Sequence, residues 1–398
     1  MRRVETILVL GILTMAGCRG GDSSPSSGIP AGAMAALELE TAYPEPFSFL
    51  NSVRERADGT VMAADPLSQV ILRLDLVAGT ADTLGRVGEG PGEFQQPDQV
   101  FPLPGDSTLL VDVGKVQLTV IGPDGTLHDG MKMANSSPDG RLTLLMPRTV
   151  DALGRIYFTG SRGMGGEGPP DSTVVLRYDR RTEATDTMGW AWRPEPNITR
   201  SGSNVRMIST QMEGRDDWAV GPGGEFAIVR ATGYLVEWRH PDGRLVTGPE
   251  NPFESRSISE DDKYAFLEQR SSAGLSVMIT SSSSGGGEMS MSRGGGGFAG
   301  DGPNLLDFEW AEEFPPFRPD RSRVAPTGEL WVERWMSSGQ DPQMDVFDQE
   351  GIKMGTVNLP EGRELIGFGS TADGDRAVYL LRTDEFDLKW LERYRLVR

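Results

Sequence analysis

Short apolar runs recur along the chain, and each is followed by a segment in which apolar and polar residues alternate. In the first copy, Asp58-Gly59 precedes the apolar run Val61 to Ala64, and the alternating segment Val70 to Leu74 follows. A short apolar run between turn residues is typical of a strand buried on both faces, whereas alternation is typical of a half-exposed strand. The pattern therefore predicts antiparallel hairpins joined by glycine-containing turns.

This unit occurs six times before the chain ends at residue 398. In three of the five intervals the turn glycines are about 45–50 residues apart, which suits one four-stranded blade. A single blade cannot bury both of its faces, so the copies must stack on one another. The sequence therefore predicts an all-β fold, a six-bladed β-propeller of four-stranded antiparallel blades. The glycines that mark the copies are Gly59, Gly105, Gly154, Gly224, Gly328 and Gly374.

The ends of the chain are expected to close the ring. The last copy, Arg363 to Arg398, has room for only about three strands of ordinary length. The segment Ala36 to Tyr43 alternates in the same way and precedes the first copy. We predict that this segment supplies the missing outer strand of the sixth blade.

An insertion at residues 255–317 interrupts the repeat. Ser259 and the three acidic residues after it are typical of a helix N-terminus, and they predict a short amphipathic helix. Serine and glycine dominate the segment 280–303, which predicts a disordered loop because little apolar area can be buried there. The aromatic, acidic segment 305–317 is expected to pack on the propeller. A mobile lid or docking loop over one mouth of the ring is the alternative role of the insertion.

The second copy resembles an NHL repeat. The segment Val87 to Phe94 (VGEGPGEF) is a glycine-rich turn, Pro97 follows it, and the next strand ends in Asp112. The first copy has the same ending at Asp65. The resemblance is specific over residues 58–125 and rests on periodicity alone beyond residue 250. It implies a six-bladed propeller of the NHL or TolB-like kind, and such folds host binding modules, scaffolds and a few lyases.

The N-terminus resembles the leader of a bacterial lipoprotein. Arg2 and Arg3 precede an apolar stretch that is too short to span a bilayer of roughly 30 Å, and small residues precede Cys18. The resemblance to the lipobox implies that this cysteine is lipidated. We predict a lipoprotein signal peptide at 1–17, a flexible tether at 18–33 and the propeller at 34–398. The mature protein is then anchored in the periplasm or at the cell surface, with the outer membrane favoured if the host has two membranes.

The composition of the chain limits the classes of partner that it is expected to bind. The formal net charge of −19 disfavours nucleic acid and anionic lipid surfaces, so membrane contact is expected through the N-terminal lipid anchor only. One cysteine excludes an internal disulfide and a cysteine-based metal cluster. The two histidines, His128 and His240, fall in outer hairpins, where they are expected to be surface residues. We predict no catalytic residue, no metal site and no cofactor, and we expect a monomer.

Charged residues that end the inner strands of five of the six blades are candidate ligand contacts, because such positions can line a channel mouth. The alternative is that they pair with one another or fix loop turns. A mixed-charge pocket would suit a small or peptidic ligand. The candidates are Asp65, Asp112, Arg230, Glu333 and Arg382.

The predicted function is a noncatalytic binding or scaffolding module at the cell envelope, with a protein, peptide or glycan as ligand. One alternative is a propeller enzyme, a lyase or hydrolase that uses channel carboxylates and a divalent metal. Another is a lipoprotein that captures a solute or glycan for an uptake system.

Overall fold

A computed structural model gives the fold. It describes residues 36–136, 142–160, 168–169, 171–195, 197–201, 204–208, 210–272, 275–281, 287–293, 304–370 and 376–397. The predicted leader at 1–17, Cys18 and the tether at 18–33 lie outside these ranges. Six four-stranded antiparallel sheets are present, and neighbouring sheets contact each other around a ring that also joins the first sheet to the sixth. The predicted six-bladed propeller is confirmed.

The strands of the first half of the ring follow the repeat closely. The chain begins with β1 (Ala36–Ala42). The first blade contains β2 (Val53–Glu55), β3 (Val61–Asp65), β4 (Val70–Asp75) and β5 (Thr80–Thr83). The second contains β6 (Pro97–Pro102), β7 (Thr108–Asp112), β8 (Gln117–Ile121) and β9 (Leu127–Lys132), and a hairpin of β10 (Ala134–Ser136) and β11 (Leu142–Leu144) follows it. The third contains β12 (Thr149–Val150), β13 (Ile156–Thr159), β14 (Ser172–Asp179) and β15 (Ala184–Trp192).

The second half carries the longer insertions. After a hairpin of β16 (Asn197–Ser201) and β17 (Asn204–Ile208), the fourth blade contains β18 (Asp217–Val220), β19 (Phe226–Arg230), β20 (Leu235–Arg239) and β21 (Leu245–Thr247). Next come α1 (Glu260–Ser272), β22 (Leu275–Ser281) and β23 (Gly287–Arg293). The fifth blade contains β24 (Arg323–Val324), β25 (Leu330–Glu333), β26 (Gln343–Phe347) and β27 (Lys353–Asn358). The sixth contains β28 (Arg363–Ser370), β29 (Arg376–Thr383) and β30 (Lys389–Val397).

The sixth blade is completed by the start of the chain, as predicted. β1 pairs antiparallel with β30, and Ala36 lies opposite Val397. Glu38 forms an ion pair with Arg395 at 2.5 Å, so the two ends of the propeller are held by side chains as well as by the ladder. This pairing leaves the ring without a gap between its first and last blades.

The order of strands within each blade corrects one expectation. The apolar runs were expected to be the innermost strands, but they form the second strand of each blade. Some of the innermost strands are short and more polar, as in β2 (VRE) and β24 (RV). The second strand is the more apolar one because it has a strand on either side and a neighbouring blade on either face. β3 and β7 are accordingly buried at every position.

Strand direction defines two faces of the ring. We call upper the face on which the first strand of each blade begins. Because the strands are antiparallel, the second strand ends there, the third begins there and the fourth ends there. β1 acts as a fourth strand and therefore begins on the lower face, where β30 ends.

The core consists of apolar layers between adjacent blades. Between the fifth and sixth blades, Trp331 is fully buried, and its ring lies 5.3 Å from that of Phe368. Comparable layers join the other neighbours, as between the second and third blades. This stacking is what the repeat requires, since each blade buries its faces only against the next.

The insertion is more ordered than expected in its middle. α1 begins as predicted, because Ser259 Oγ accepts from the Asp262 amide (3.2 Å) while the Asp262 carboxylate accepts from the Ser259 amide (2.9 Å). The segment 280–303 was expected to be disordered, but β22 and β23 form a hairpin across part of it. Polar and apolar residues alternate in β23, a strand signal that the composition of the whole segment hides. Residues 282–286 and 294–303 lie outside the described ranges.

The segment after the hairpin packs on the propeller, as predicted, with Phe314 and Phe317 buried. α1 is the only α-helix in the described ranges, and at 13 residues it falls short of what a bilayer span requires.

Candidate functional site

The upper face contains a cavity on the ring axis. Its volume is about 1640 Å³, and residues from all six blades line it. Most of these residues directly precede the first strand of a blade or belong to loops on the same face. The cavity exceeds the roughly 300–1,000 Å³ of ordinary small-molecule sites, so it has room for a large ligand or one of several units.

The wall of this axial cavity is cationic although the whole chain is strongly acidic. Eight cationic and five anionic side chains line it, a formal excess of three positive charges, against a net charge of −19 for the chain. Low-dielectric walls of a cleft concentrate such a field. The cationic residues are Arg148, Arg193, Arg215, Arg270, Arg318, Arg321, Arg323 and Lys389.

Three of these arginines come from the short segment that leads into β24. Arg318 pairs with Glu333 at 2.8 Å, and Arg321 pairs with Glu364. Arg323 forms no ion pair with any described residue, and its one described hydrogen bond runs from Nε to the Leu365 carbonyl at 3.4 Å. Its guanidinium is therefore not held by a carboxylate in direct contact among the described residues.

The surroundings of Arg323 disfavour its positive charge. Burial, together with the neighbouring Arg321 and Arg148, lowers the pKa of its guanidinium to about 10. The carboxylates of Asp217 and Glu333 oppose this shift. An arginine is otherwise protonated far above neutral pH, and it stays cationic here as well. A shift in this direction means that an added anion would be stabilised at this position.

A buried carboxylate orients the arginines from behind. The Asp217 side chain is fully buried and accepts from Arg148 Nη2 at 2.6 Å. It also accepts from the amides of Trp218 (2.8 Å) and Ser322 (2.9 Å). Arg148 is further held 4.5 Å above the Trp218 ring. Asp217 thus fixes Arg148 of the third blade beside the arginine segment of the fifth.

The opposite wall carries both polar and apolar side chains. In a ring of six the second blade faces the fifth, and Gln99 and Phe101 of the second blade line the cavity. Asn51, which precedes the first strand of the first blade, lines it beside them. Behind them lies the buried Asp98, in an irregular stretch of β6, which accepts from Asn51 Nδ2 at 2.5 Å. Ser52 is tied to the same strand, because its hydroxyl donates to the Val100 carbonyl and accepts from the Val100 amide.

Asp98 should make stability depend on pH. Burial raises the pKa of its carboxyl to about 6, against about 3.9 in an unfolded chain. Between these values the folded state holds the proton more tightly, so this residue's contribution falls as pH rises from about 4 to about 6. The free energy of unfolding of Asp98→Asn is therefore expected to equal that of the wild type near pH 4. At pH 7 it should exceed the wild-type value by about 1–3 kcal/mol.

Urea denaturation at half-unit pH steps measures this difference. Asp82→Asn, at an exposed carboxylate on the rim, is the control and should show no such trend. A wild-type protein that becomes more stable than Asp98→Asn as the pH rises would contradict the raised pKa of Asp98.

The five residues predicted to contact ligand lie on the upper face but are not brought together. Asp65 and Asp112 are buried and hold loop backbones. Asp65 accepts from the amides of Ser48 and Leu67, and Asp112 from those of Gln95 and Gln96. Their geometry matches the alternative in which they fix loop turns.

The other three form ion pairs with neighbours. Arg230 binds Asp216 at 2.7 Å, and Arg382 binds Glu392 at 3.1 Å. Glu333 contacts Arg318 and so supports the axial cavity without lining it. None of the five lines the axial cavity, and a direct role in ligand binding stays a prediction for each.

The insertion forms one side of the axial cavity. Phe266 and Arg270 of α1 line it, and Gln269 accepts from Arg318 Nη2 at 2.8 Å. A lid motion of this segment stays a prediction. His240, expected at the surface, is buried against Trp238 with their rings 6.2 Å apart, although it does lie in an outer hairpin.

The arginine segment was not among the residues predicted from the sequence. Its signal was the basic run Arg318, Arg321 and Arg323 within an acidic chain. Among the described residues, no cluster of three or more histidine, cysteine, aspartate or glutamate side chains is placed to hold a metal ion.

Comparison with known proteins yields fold similarity alone. No family model and no curated protein matches the chain. A DUF4221-family member from Bacteroides vulgatus is 10% identical with a TM-score of 0.45, covering 92% of this chain and 97% of that one. Regucalcin, a calcium-binding protein from Agrobacterium tumefaciens, is 12% identical with a TM-score of 0.41 and the same coverage. A streptogramin B lyase is 12% identical with a TM-score of 0.38, covering 90% and 98%.

Similarity at this level concerns architecture and assigns no activity to the chain. The expectation of a noncatalytic protein therefore stays a prediction. The resemblance to NHL repeats and the lipoprotein leader are not addressed by these structures.

Proposed function

We propose that this propeller is a binding module of the cell envelope that takes an anionic ligand, an acidic segment of a peptide or glycan, in its axial cavity. The observation that supports this most is Arg323, a guanidinium on the cavity wall without an ion-pair partner among the described residues. Arg148 and Arg321 stand near it. Arginine suits carboxylates because its planar fork can donate two parallel hydrogen bonds.

Substitution of Arg323 tests this function. Arg323→Gln is expected to weaken binding of an acidic probe about tenfold to hundredfold, because a hydrogen bond to a charged group contributes about 1.5–3 kcal/mol. Hexaglutamate and an oligogalacturonate are suitable probes, with affinities measured by isothermal titration calorimetry at two salt concentrations. Higher salt should weaken wild-type binding more than it weakens the variant.

Arg181→Gln is the matched control, since this arginine is exposed on a rim turn away from the cavity. It should bind like the wild type. The proposal is abandoned if neither probe binds the wild type, or if both variants bind equally well.

A second candidate is a propeller enzyme, a lyase or hydrolase that uses channel carboxylates and a divalent metal. Asp98 favours it, because a carboxyl with a pKa of about 6 directly behind the cavity wall is suited to proton transfer. The described residues do not offer a metal-binding cluster, so no step is assigned to a metal here. Product analysis after incubation of either probe, with and without Ca²⁺, distinguishes the candidates: turnover that Asp98→Asn abolishes supports the enzyme.

We also propose that Cys18 carries the lipid that holds the protein at the envelope. Support comes from the charged, apolar and small-residue order before this cysteine. Mass spectrometry of the mature N-terminal peptide is expected to show a diacylated cysteine, and Cys18→Ala should move the protein from the membrane fraction to the soluble fraction. An unmodified cysteine in mature protein purified from membranes would refute the anchor.

A further inference from the structure

A second cavity lies between the third and fourth blades. This lateral groove has a volume of about 670 Å³, within the usual range for small-molecule sites. Its floor is formed by buried Phe226, Ile228 and Trp238. Trp190 forms one side, and Leu245, 70% exposed, stands at the rim.

The lateral groove adjoins the axial cavity. Pro169, Ser172 and Trp190 line both. The backbone at Gly168 lies directly on the Trp190 ring, because a Cβ there would come within 2.0 Å of Cζ3. The two cavities are therefore separated at this point by little more than one side chain.

The two cavities differ in chemistry. The axial cavity has unneutralised positive charge, whereas the two arginines of the lateral groove are engaged. Arg230 binds Asp216 at 2.7 Å and Glu237 at 2.6 Å, and Arg239 donates to the Met188 carbonyl at 2.8 Å. What the groove offers a ligand is mainly apolar and aromatic surface.

We infer that the ligand is an amphipathic anion, with a carboxylate head group beside Arg323 and an apolar tail that reaches past Trp190 into the lateral groove. This inference rests on the anion-binding function proposed above. The head group supplies charge complementarity on the axis, and burial of the tail adds affinity in proportion to its apolar area.

A series of straight-chain carboxylates tests the inference. The probes are butanoate, hexanoate, octanoate and decanoate, kept below their micelle concentrations and titrated calorimetrically. Affinity is expected to rise about twofold to fourfold per methylene until the groove is filled. Arg323→Gln should weaken all four probes by a similar factor, because it alters the head-group site alone.

A variant in the lateral groove distinguishes the contribution of the apolar tail to affinity from that of the carboxylate head group. Thr247→Glu places a charge on the exposed end of β21, which lines the groove. It should weaken decanoate far more than butanoate and so flatten the dependence of affinity on chain length. Thr83→Glu, at the corresponding end of the fourth strand of the first blade, is the matched control and should keep the dependence.

The outcomes separate this inference from the proposed function. A flat dependence on chain length in the wild type, with butanoate binding still lost in Arg323→Gln, overturns the amphipathic ligand and leaves the anion site standing. Binding of the matching alcohols as tightly as the carboxylates also overturns it. Carboxylate binding that Arg323→Gln does not weaken defeats the anion site itself.

Discussion

A chain that begins at residue 43, and so lacks β1, is expected to lose about 3–6 kcal/mol of unfolding free energy. Six residue pairs join β1 to β30, and each backbone hydrogen bond contributes about 0.5–1.5 kcal/mol net. Removal also uncovers apolar surface, since Leu37 packs on the layer between the fifth and sixth blades. Urea denaturation followed by tryptophan fluorescence measures the loss.

The control is a chain that begins at residue 36 and retains the strand. The shorter chain should also aggregate sooner, because β30 becomes an unpaired edge nine residues long. Equal stability of the two chains would show that the ring does not depend on this closure.

Asp217→Ala is expected to lower the free energy of unfolding by about 3 kcal/mol. It should also release Arg148 from its position beside the arginines of the fifth blade. Removing one partner of a buried ion pair is strongly destabilising, because the remaining charge and amides lose their partner. Arg148 and the Ser322 amide both depend on this carboxylate. Chemical denaturation gives the stability change, and calorimetry with hexaglutamate gives the accompanying loss of affinity.

Asp320→Ala is the comparison, because Asp320 pairs with the same Arg148 at 3.6 Å but its side chain is 64% exposed. An exposed pair contributes less than about 1 kcal/mol, so this variant should remain near wild-type stability. Similar losses of unfolding free energy in both variants would mean that the burial of Asp217 does not determine the cost of removing it.

The architecture was predictable because second and third strands repeat with similar chemistry. Val61 to Ala64 and its counterparts are apolar for the same physical reason in every blade, so the copies could be counted. The closure by β1 followed from a shortage of strands in the last copy. The position of the axis was not predictable in the same way, because first strands such as β24 have only two residues and no hydrophobic pattern.

The axial cavity was hidden for a related reason. Its residues come from loops of unequal length, so no spacing marks Arg148, Asp217 and Arg323 as neighbours. Asp65 and Asp112 were prominent because they recur at a fixed place in the repeat. The structure shows why they recur: each accepts backbone amides of the turn that follows its strand.

The direction of β1 determines which face of the propeller is turned toward a support that is attached to the start of this strand. Because Ala36 and Val397 both lie on the lower face, a support joined to either end approaches the side away from the axial cavity. Immobilisation through a terminal tag should therefore leave the mouth open to solvent.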